Sequence, residues 1–529
     1  MSDVSGGMRF RMIAPAFPNF NIYSSIAKQT TALGPLSVAT VVHHMPGWQV
    51  EVIDENNFRK YGPKHENGTP DHAILQAIRH ADAVGLYGGL SSTINRLHEL
   101  ARFYKKTGAV TIAGGQHLVG ENVREALDND VDYVVIGEGE DTIRELLEAI
   151  ETGSDPAGIA GIAFLRNGEV VRTADRPPIE DFTRLPAPDF RLLRYAQVKI
   201  YPVGWIRGCG MNCEFCTVKG KPRSAPPALV VEHIAGLLEQ HGARHFFIVD
   251  DLFGHNRRDT LEFCGMLSAY QKAVGTRLNL TVQIRLDRGR DEDLLKAMRQ
   301  AGVKTVCIGF ESPIAEELEA MDKRIKPETM LERTRRFHAA GFFVHGMFIF
   351  GYPLPEGASL AMTAKARARR FRRFIRKARL DTIQVLLPVP LPGTALTARL
   401  EADGRILSRD CIGWEYYDGN FPLFMPDAPM TPELMQLSLR RIMGRFYRFR
   451  YVFAIGLNVL IFPAMFLSVW DIRFGWRKWT SVWRNNLIRF GGWILLKRWT
   501  SKLRHGAFSQ KLAKAKALLP LPQVAERSS

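Results

Sequence analysis

The stretch Arg207-Gly208-Cys209-Gly210-Met211-Asn212-Cys213-Glu214-Phe215-Cys216 sets the fold and chemistry expected of this chain. Its three cysteines, at Cys-x3-Cys-x2-Cys spacing, directly follow a short apolar run, Val203 to Ile206, that is typical of a β-strand. Three thiolates on one loop can ligate one metal cluster together. An iron–sulfur cubane held by three cysteines keeps one iron open for a substrate, whereas a zinc site would need a fourth ligand such as His233 or His245.

Strand and helix patterns alternate along the chain after this loop. Six apolar runs predict strands that are joined by helices, which favours a parallel barrel or partial barrel with its chemistry on the loops after the strands. The cysteine loop follows the first strand, as that arrangement requires. The predicted strands are Val203 to Ile206, Arg244 to Val249, Asn279 to Ile284, Thr305 to Ile308, Phe343 to Ile349 and Thr382 to Leu387.

The first 150 residues show a second alternation of strands and helices, typical of a doubly wound parallel sheet. In such sheets ligands bind at the carboxyl ends of the strands. Three of these ends carry glycines, which suggests a large planar or phosphate-bearing ligand close to the backbone, although turn geometry alone would explain them equally well. These ends are Tyr87-Gly88-Gly89, Gly114-Gly115-Gln116-His117 and Gly137-Glu138-Gly139-Glu140.

The chain changes character between residues 151 and 199. Gly161 to Arg172, with Asn167-Gly168 between two apolar runs, predicts a β-hairpin. The proline-rich segment from Arg176 to Pro188 predicts an extended linker. A domain boundary is therefore expected near residue 190.

The cysteine loop resembles the signature of the radical S-adenosylmethionine (radical SAM) enzymes, including the aromatic residue, Phe215, before the last cysteine. The resemblance continues through motifs after the later strands, although Asp250, Arg285 and Glu311 would also suit a structural ion-pair network. The motifs are Val249-Asp250-Asp251-Leu252-Phe253, Gln283-Ile284-Arg285-Leu286-Asp287, Ile308-Gly309-Phe310-Glu311-Ser312, Phe348-Ile349-Phe350-Gly351-Tyr352-Pro353 and Leu387-Pro388-Val389-Pro390-Leu391-Pro392-Gly393-Thr394.

The first domain is similar to the cobalamin-binding domain that precedes the radical domain in one large subclass. Asp54-Glu55-Asn56-Asn57-Phe58 lacks the Asp-x-His-x-x-Gly motif that supplies a histidine to cobalt, so the resemblance implies cobalamin without a histidine ligand, and His117 is not assigned to cobalt. The resemblance implies these site residues: Cys209, Cys213 and Cys216 for a [4Fe-4S] cluster; Phe215, Asp250, Asp251, Gln283, Arg285 and Glu311 for S-adenosylmethionine; Gly114, Gly115, Gln116, Gly137, Glu138 and Gly139 for cobalamin.

The resulting fold class is α/β. A doubly wound, Rossmann-like cobalamin-binding domain is expected at residues 8–150, and a hairpin and proline-rich linker at 151–199. A (β/α)6 partial TIM barrel, the radical SAM domain, follows at 200–395. Residues 396–529 form an α-helical C-terminal region.

The resemblance implies a radical enzyme that methylates an unactivated carbon, with a flavodoxin- or ferredoxin-type protein as reductant. Adenosylmethionine would supply the radical that removes hydrogen, and cobalamin the methyl group. A non-methylating reaction such as cyclisation, coupling or hydroxylation is the alternative. A cobalamin- and cluster-bearing sensor without turnover is a more distant one, and intact adenosylmethionine motifs argue against it.

Composition separates the body of the chain from its tail. The 529 residues are 46% hydrophobic and 24% charged, which excludes a mainly disordered chain and a polytopic membrane protein. The net charge is +17, yet Arg440 to Lys516 alone holds seventeen Lys and Arg against one acid. Tyr451 to Trp470 is an uncharged run of twenty residues, long enough to span a bilayer, with Asn458 and Pro463 near its middle.

Lys and Arg interleaved with six of the nine tryptophans suit a membrane headgroup layer. A buried helical cap on the barrel is the alternative, and the uncharged run argues against nucleic acid. The basic stretch Lys365 to Arg379, with nine Lys and Arg and no acid, would widen a cationic membrane-facing surface or form a solvated helix face. A lipid or isoprenoid substrate is therefore expected. Six cysteines and no visible secretory signal favour a cytoplasmic location, at the inner face of the membrane.

Overall fold

A computed structural model describes residues 7–22, 24–59, 61–358, 360, 362–457, 472–504 and 507–519. The first third of the chain forms a seven-stranded sheet in the order β2-β1-β3-β4-β5-β6-β7. The first five strands are parallel, which confirms the doubly wound prediction. Their bounds are β1 Met8–Ala14, β2 Trp48–Asp54, β3 Ala83–Tyr87, β4 Val110–Gly114, β5 Tyr133–Val135, β6 Ile162–Arg166 and β7 Glu169–Arg172.

Helices cover both faces of this sheet because its strands are apolar on both sides. On one face the fully buried Arg11 donates to Glu51 (2.7 Å), Gln76 (2.8 Å) and the Tyr104 hydroxyl (3.0 Å), and so ties two helices to the strands. The helices are α1 Ser24–Ala27, α2 Leu33–His43, α3 His72–Ile78, α4 Ile94–Lys106, α5 Glu121–Asp128 and α6 Glu140–Thr152.

The hairpin predicted around Asn167-Gly168 is present as β6 and β7. Asn167 (φ 54°) and Gly168 (φ 82°) both adopt the left-handed conformation that a two-residue hairpin turn requires. β6 pairs antiparallel with β5, so the hairpin extends the first sheet at its edge.

A second, six-stranded sheet follows in the order β15-β14-β13-β12-β11-β8, and its strand pairs are all parallel. The end strands β8 and β15 do not pair with each other, so the barrel is partial, as predicted. The strands from here on are β8 Tyr201–Val203, β9 Ile206–Arg207, β10 Arg223–Ser224, β11 His245–Phe253, β12 Asn279–Ile284, β13 Val303–Glu311, β14 Phe343–Ile349 and β15 Thr382–Leu386.

The first predicted strand of the barrel, Val203 to Ile206, is divided between β8 and β9. The Asp250 carboxylate accepts hydrogen bonds from the backbone N–H groups of Trp205 (2.7 Å) and Ile206 (2.9 Å), which removes them from the strand ladder. β9 pairs instead with β10, an interaction that the sequence analysis missed.

Helices alternate with the barrel strands and continue into the C-terminal region. They are α7 Pro227–His241, α8 Arg257–Ala273, α9 Glu292–Gln300, α10 Ala315–Ala320, α11 Pro327–Ala339, α12 Ala364–Lys377, α13 Ala395–Ala402, α14 Arg409–Ile412, α15 Pro432–Phe446, α16 Ile472–Arg504 and α17 Phe508–Ala517. The helical C-terminal region is therefore confirmed.

The C-terminal helices pack on the last barrel strand. The Tyr447 hydroxyl donates to the Ile383 carbonyl (2.7 Å) and accepts from the Ile383 N–H (3.0 Å). Arg489 of α16 donates to the carbonyls of Leu380 (2.8 Å) and Asp381 (3.2 Å). The described part of the tail thus packs along the edge strand of the barrel.

The uncharged run from Tyr451 to Trp470 falls largely on residues 458–471, outside the described residues. Of the helices that are described, none combines the length and the apolar character needed to cross a bilayer.

Candidate active site

A cavity of ≈ 1390 Å³ lies between the two sheets, at the carboxyl ends of their strands. It exceeds the volume usual for a single small-molecule site, so it has room for a corrin-sized ligand together with adenosylmethionine. The two sheets contribute opposite walls. The wall from the first sheet includes Tyr87, Gly114, Gly115, Gln116, Gly137, Glu138, Gly139 and Glu140, and the barrel wall includes Arg207, Phe215, Cys216, Thr217, Asp250 and Asp251.

The glycines on the first wall keep the backbone close to the cavity. A Cβ at Gly115 (φ +139°) would lie 2.5 Å from the carbonyl carbon of Gly88, so only glycine lets the loops after β3 and β4 touch. A Cβ at Gly137 (φ +86°) would meet no atom within 4 Å, so the backbone there borders open space. All six predicted cobalamin residues line this cavity, which fits a large planar ligand lying on the strand ends.

The loop between β9 and β10 holds the three cysteines as free thiols. Gly208 (φ +84°) lies against the Lys221 carbonyl, and the Gly210 N–H donates to the Gly220 carbonyl (2.9 Å), so the loop closes on itself. Cys213 is buried, whereas Cys209 and Cys216 are half-buried. Burial raises the pKa of the Cys213 and Cys216 thiols, so a bound metal rather than the solvent would hold them as thiolates.

Glu214, within the cysteine loop, fastens the loop to the helix that follows the last barrel strand. Its carboxylate accepts two hydrogen bonds from Arg399 of α13 (2.6 and 2.9 Å) and one from the Tyr352 hydroxyl (2.6 Å). Arg399 also donates to the carbonyls of Pro353 and Leu354, at 3.1 Å each. The cysteine loop is thereby fixed from the far side of the barrel.

The zinc alternative named two histidines, and the structure places them differently. His233, on α7, lines the same cavity as Cys216. His245 begins β11 and therefore lies at the amino end of the barrel sheet, opposite the cysteine loop. Within the described ranges, no three His, Cys, Asp or Glu side chains converge on a point that a single ion would occupy. The described side chains thus offer no ready-made site for a single zinc ion at the cysteine loop.

Three of the six predicted adenosylmethionine residues, Phe215, Asp250 and Asp251, line the cavity. Burial raises the pKa of Asp250 to about 7, although the two backbone hydrogen bonds described above act to lower it. Its second oxygen, Oδ2, is buried and has no partner among the described atoms. A donor from a ligand, such as an amino group, would satisfy this oxygen.

The other three lie around the cysteine loop. Gln283 donates to the Asp250 carbonyl (3.3 Å), and an Arg285 Nη1 lies 2.8 Å from the Met211 sulfur. Glu311 (φ 55°) pairs with Lys323 (2.8 Å). Asp250, Arg285 and Glu311 therefore do not form one ion-pair network, which was the alternative to a role in binding adenosylmethionine.

Ion pairs join the two walls, and the sequence analysis missed the basic partners. Glu138 accepts from Arg223 (2.8 and 3.1 Å) and from the Ile179 N–H (2.7 Å), and lies 3.4 Å from Arg207. Although burial alone would raise the pKa of Glu138, these hydrogen bonds hold it below its usual value. Arg207 also pairs with Glu140. Because Arg207 leads directly into the cysteine loop, these pairs set its position relative to the glycine-rich wall.

His117, which is not assigned to cobalt, belongs to the loop after β4 and is buried. Its Nδ1 is 2.9 Å from the Ser91 hydroxyl, and its ring packs edge-on against Trp414. Burial lowers the pKa of His117 to about 3, so the ring is neutral.

Two family models match the chain where these walls lie. The model of the radical SAM superfamily matches residues 203–359, and that of the B12 binding domain matches residues 22–147. The chain belongs to the radical SAM enzymes that carry a B12-binding domain. The cofactors of these enzymes, a [4Fe-4S] cluster, S-adenosylmethionine and cobalamin, are therefore those of this chain.

The curated relatives include methyltransferases and cyclases. An uncharacterized methyltransferase of Pyrococcus horikoshii is 29% identical over 60% of this radical SAM chain and 67% of its own. An anaerobic magnesium-protoporphyrin IX monomethyl ester cyclase of Rubrivivax gelatinosus is 28% identical, over 64% and 60%. The hopanoid C-2 methylase of Rhodopseudomonas palustris is 27% identical, over 44% and 43%.

Solved structures share the two-domain fold. The radical SAM methyltransferase TsrM of Kitasatospora setae, with cobalamin and a [4Fe-4S] cluster bound, aligns with a TM-score of 0.60 at 18% identity, over 75% of this chain and 78% of its own. The cobalamin-dependent radical SAM enzyme OxsB aligns with a TM-score of 0.64 at 13% identity, over 97% and 76%. At such identities the likeness establishes the fold alone.

Proposed function

We propose that this enzyme methylates an unactivated carbon of a lipid or isoprenoid-type substrate. The observation that carries the proposal is the cavity that the two domains share. Its opposite walls are the glycine-rich strand ends and the cysteine loop. When bound, the cluster and adenosylmethionine supply a carbon radical, and cobalamin supplies a transferable methyl group. The substrate would lie between the two walls, shielded from water.

We assign the three cysteines, Cys209, Cys213 and Cys216, to the cluster. The buried, unpartnered Oδ2 of Asp250 suits the amino group of adenosylmethionine, with Asp251 and Phe215 beside it on the same wall. Gln283 orients Asp250 through its carbonyl, and Arg285 and Glu311 border the cysteine loop. Gly114, Gly115, Gln116, Gly137, Glu138 and Gly139 would form the cobalamin surface.

A second candidate function is a non-methylating radical reaction. The named relatives include cyclases as well as methylases, at nearly equal identities of 27 to 29%. Both reaction types would use the same two walls, so the product distinguishes them.

We propose the cytoplasmic face of the membrane as the working location, with a flavodoxin- or ferredoxin-type protein as reductant. The support is the basic, tryptophan-rich tail and its continuation into an uncharged run. A lipid or isoprenoid there offers the unreactive carbons that make radical chemistry necessary.

Anaerobic turnover tests the reaction type. The reconstituted full-length enzyme is incubated with dithionite as the one-electron reductant, adenosylmethionine carrying a deuterated methyl group and a total lipid extract, with Cys216→Ala as the matched inactive control. We expect S-adenosylhomocysteine, 5′-deoxyadenosine and a lipid that has gained the deuterated methyl group. Formation of 5′-deoxyadenosine and a changed lipid, without S-adenosylhomocysteine, would refute methyl transfer in favour of the second candidate.

A further inference from the structure

Two basic stretches that are far apart in sequence lie side by side on the surface. Helix α12 packs along α15, and this brings together five arginines, Arg369 and Arg372 from α12 and Arg441, Arg445 and Arg448 from α15 and the turn that follows it. We name these five residues the arginine cluster. Arg369, Arg441 and Arg445 are exposed, while Arg372 and Arg448 are half-buried.

The arginine cluster has no counter-charge within the described part of the chain, where none of its members forms an ion pair with a carboxylate. Among the described atoms, the Nε of Arg372 is buried and has no hydrogen-bond partner. Burial and the positive charges of Arg445, Arg369, Arg448 and Arg441 lower the pKa of Arg372. By contrast, Arg367 on the inner face of the same helix is paired with the buried Glu317.

Assembling five guanidinium groups without a carboxylate costs free energy unless an anion joins them. Guanidinium groups bind phosphate oxygens through paired hydrogen bonds, so a phosphate group is the anion best suited to this surface.

An apolar edge directly follows the arginine cluster in the chain. Phe449, Phe453 and Leu457 are 47%, 64% and 57% exposed, and the two phenylalanine rings lie 5.7 Å apart. The sequence then continues uncharged from Asn458 to Trp470. Exposed Phe and Leu beside arginines suit the boundary between lipid headgroups and acyl chains, whereas a nucleic acid offers nothing to bury Leu457.

We propose that the arginine cluster and the apolar edge together form a docking surface for the anionic phospholipids of a membrane. The cluster binds phosphate groups while Phe449 and Phe453 enter the headgroup layer. This proposal rests on the membrane location given under the proposed function. It identifies the surface of the protein that meets the bilayer.

Vesicle binding by the full-length protein tests the surface. Co-sedimentation is measured with vesicles of phosphatidylcholine alone and of phosphatidylcholine mixed with phosphatidylglycerol. The test variant combines Arg372→Gln with Arg445→Gln. The control combines Arg335→Gln with Lys296→Gln, which removes the same charge at exposed positions outside the cluster.

Binding that requires phosphatidylglycerol is expected for the wild type and the control. Each basic residue near an anionic surface contributes about 1 kcal/mol, so the test variant should bind about 30-fold more weakly. Phe453→Ser, at an exposed position that leaves the arginines intact, should bind about tenfold more weakly.

Equal binding of the wild type and either folded variant would overturn the proposal. So would equal binding to the two kinds of vesicle, release by millimolar inorganic phosphate alone, or displacement by a short RNA duplex at lower concentration than the lipid. Adenosylmethionine cleavage without vesicles is measured alongside. If the wild type cleaves adenosylmethionine but does not bind vesicles, the docking surface fails while the proposed chemistry stands; loss of cleavage in the wild type would instead count against the chemistry.

Discussion

Arg399→Leu tests whether the helix beyond the barrel holds the cysteine loop. The substitution removes two charge-assisted hydrogen bonds to Glu214, at 2.6 and 2.9 Å, together with the two that Arg399 donates to the carbonyls of Pro353 and Leu354. Among the described residues, the Glu214 carboxylate then keeps the Tyr352 hydroxyl as its partner. A hydrogen bond to a charged group contributes about 1.5–3 kcal/mol, and both side chains here are less than a fifth exposed. We therefore expect the ordered loop to lose about 2–3 kcal/mol, after allowance for partial solvent screening.

That loss corresponds to about 30- to 150-fold faster release of iron from the reconstituted protein to a chelator under anaerobic conditions. Arg399→Lys should release iron at an intermediate rate because an ammonium group cannot bind the carboxylate in two places. Arg409→Leu, which breaks the exposed pair with Glu401, is the control and should match the wild type. Wild-type iron release by Arg399→Leu, in a protein with an unchanged melting temperature, would refute the fastening role of Glu214.

Three further predictions follow from the two walls of the cavity. Cys216→Ala should lose the iron–sulfur absorbance and adenosylmethionine cleavage while its circular dichroism spectrum stays unchanged; retained cleavage would exclude Cys216 as a ligand. Because the Asp250 pKa is about 7, its carboxylate becomes charged as pH rises through 7, so adenosylmethionine should bind about tenfold more tightly at pH 8 than at pH 6. Asp250→Asn should flatten that profile, and an unchanged profile would contradict the assignment. Glu138→Gln weakens the pairs with Arg223 and Arg207, so cobalamin should dissociate at least tenfold faster in gel filtration, and equal retention would show that these pairs are dispensable.

Local pattern was enough to predict both sheets, because each strand is a short apolar run bounded by turn residues. The hairpin at Asn167-Gly168 could be located to the residue, since its turn needs two left-handed positions. The division of the strand at Trp205 could not be predicted, because it depends on a carboxylate, Asp250, that lies 45 residues further along the chain.

In the site, too, some features follow from local sequence pattern and others from contacts between distant residues. The cysteines and the strand-end glycines are read from spacing, and Cys216 and the glycines after β4 and β5 line the cavity. The residues that fix the site, Arg223, Arg399 and Lys323, carry no local motif. Arg223 joins the two walls, whereas Arg399 and Lys323 bind carboxylates within the barrel. The partners of Arg223, Arg399 and Lys323 are 85, 185 and 12 positions away in the sequence, and the tertiary fold brings each pair into contact.

The contacts that Tyr447 and Arg489 make at the last barrel strand protect the open edge of the sheet. β15 ends a sheet that does not close, so its outer backbone groups are a template for pairing with another chain. Tyr447 occupies both polar groups of Ile383 on that side. Deleting residues 440–529 would uncover this strand, so the truncated protein should self-associate through its sheets. Aggregation on truncation would thus follow from an unprotected strand, whether or not the tail ever meets a lipid.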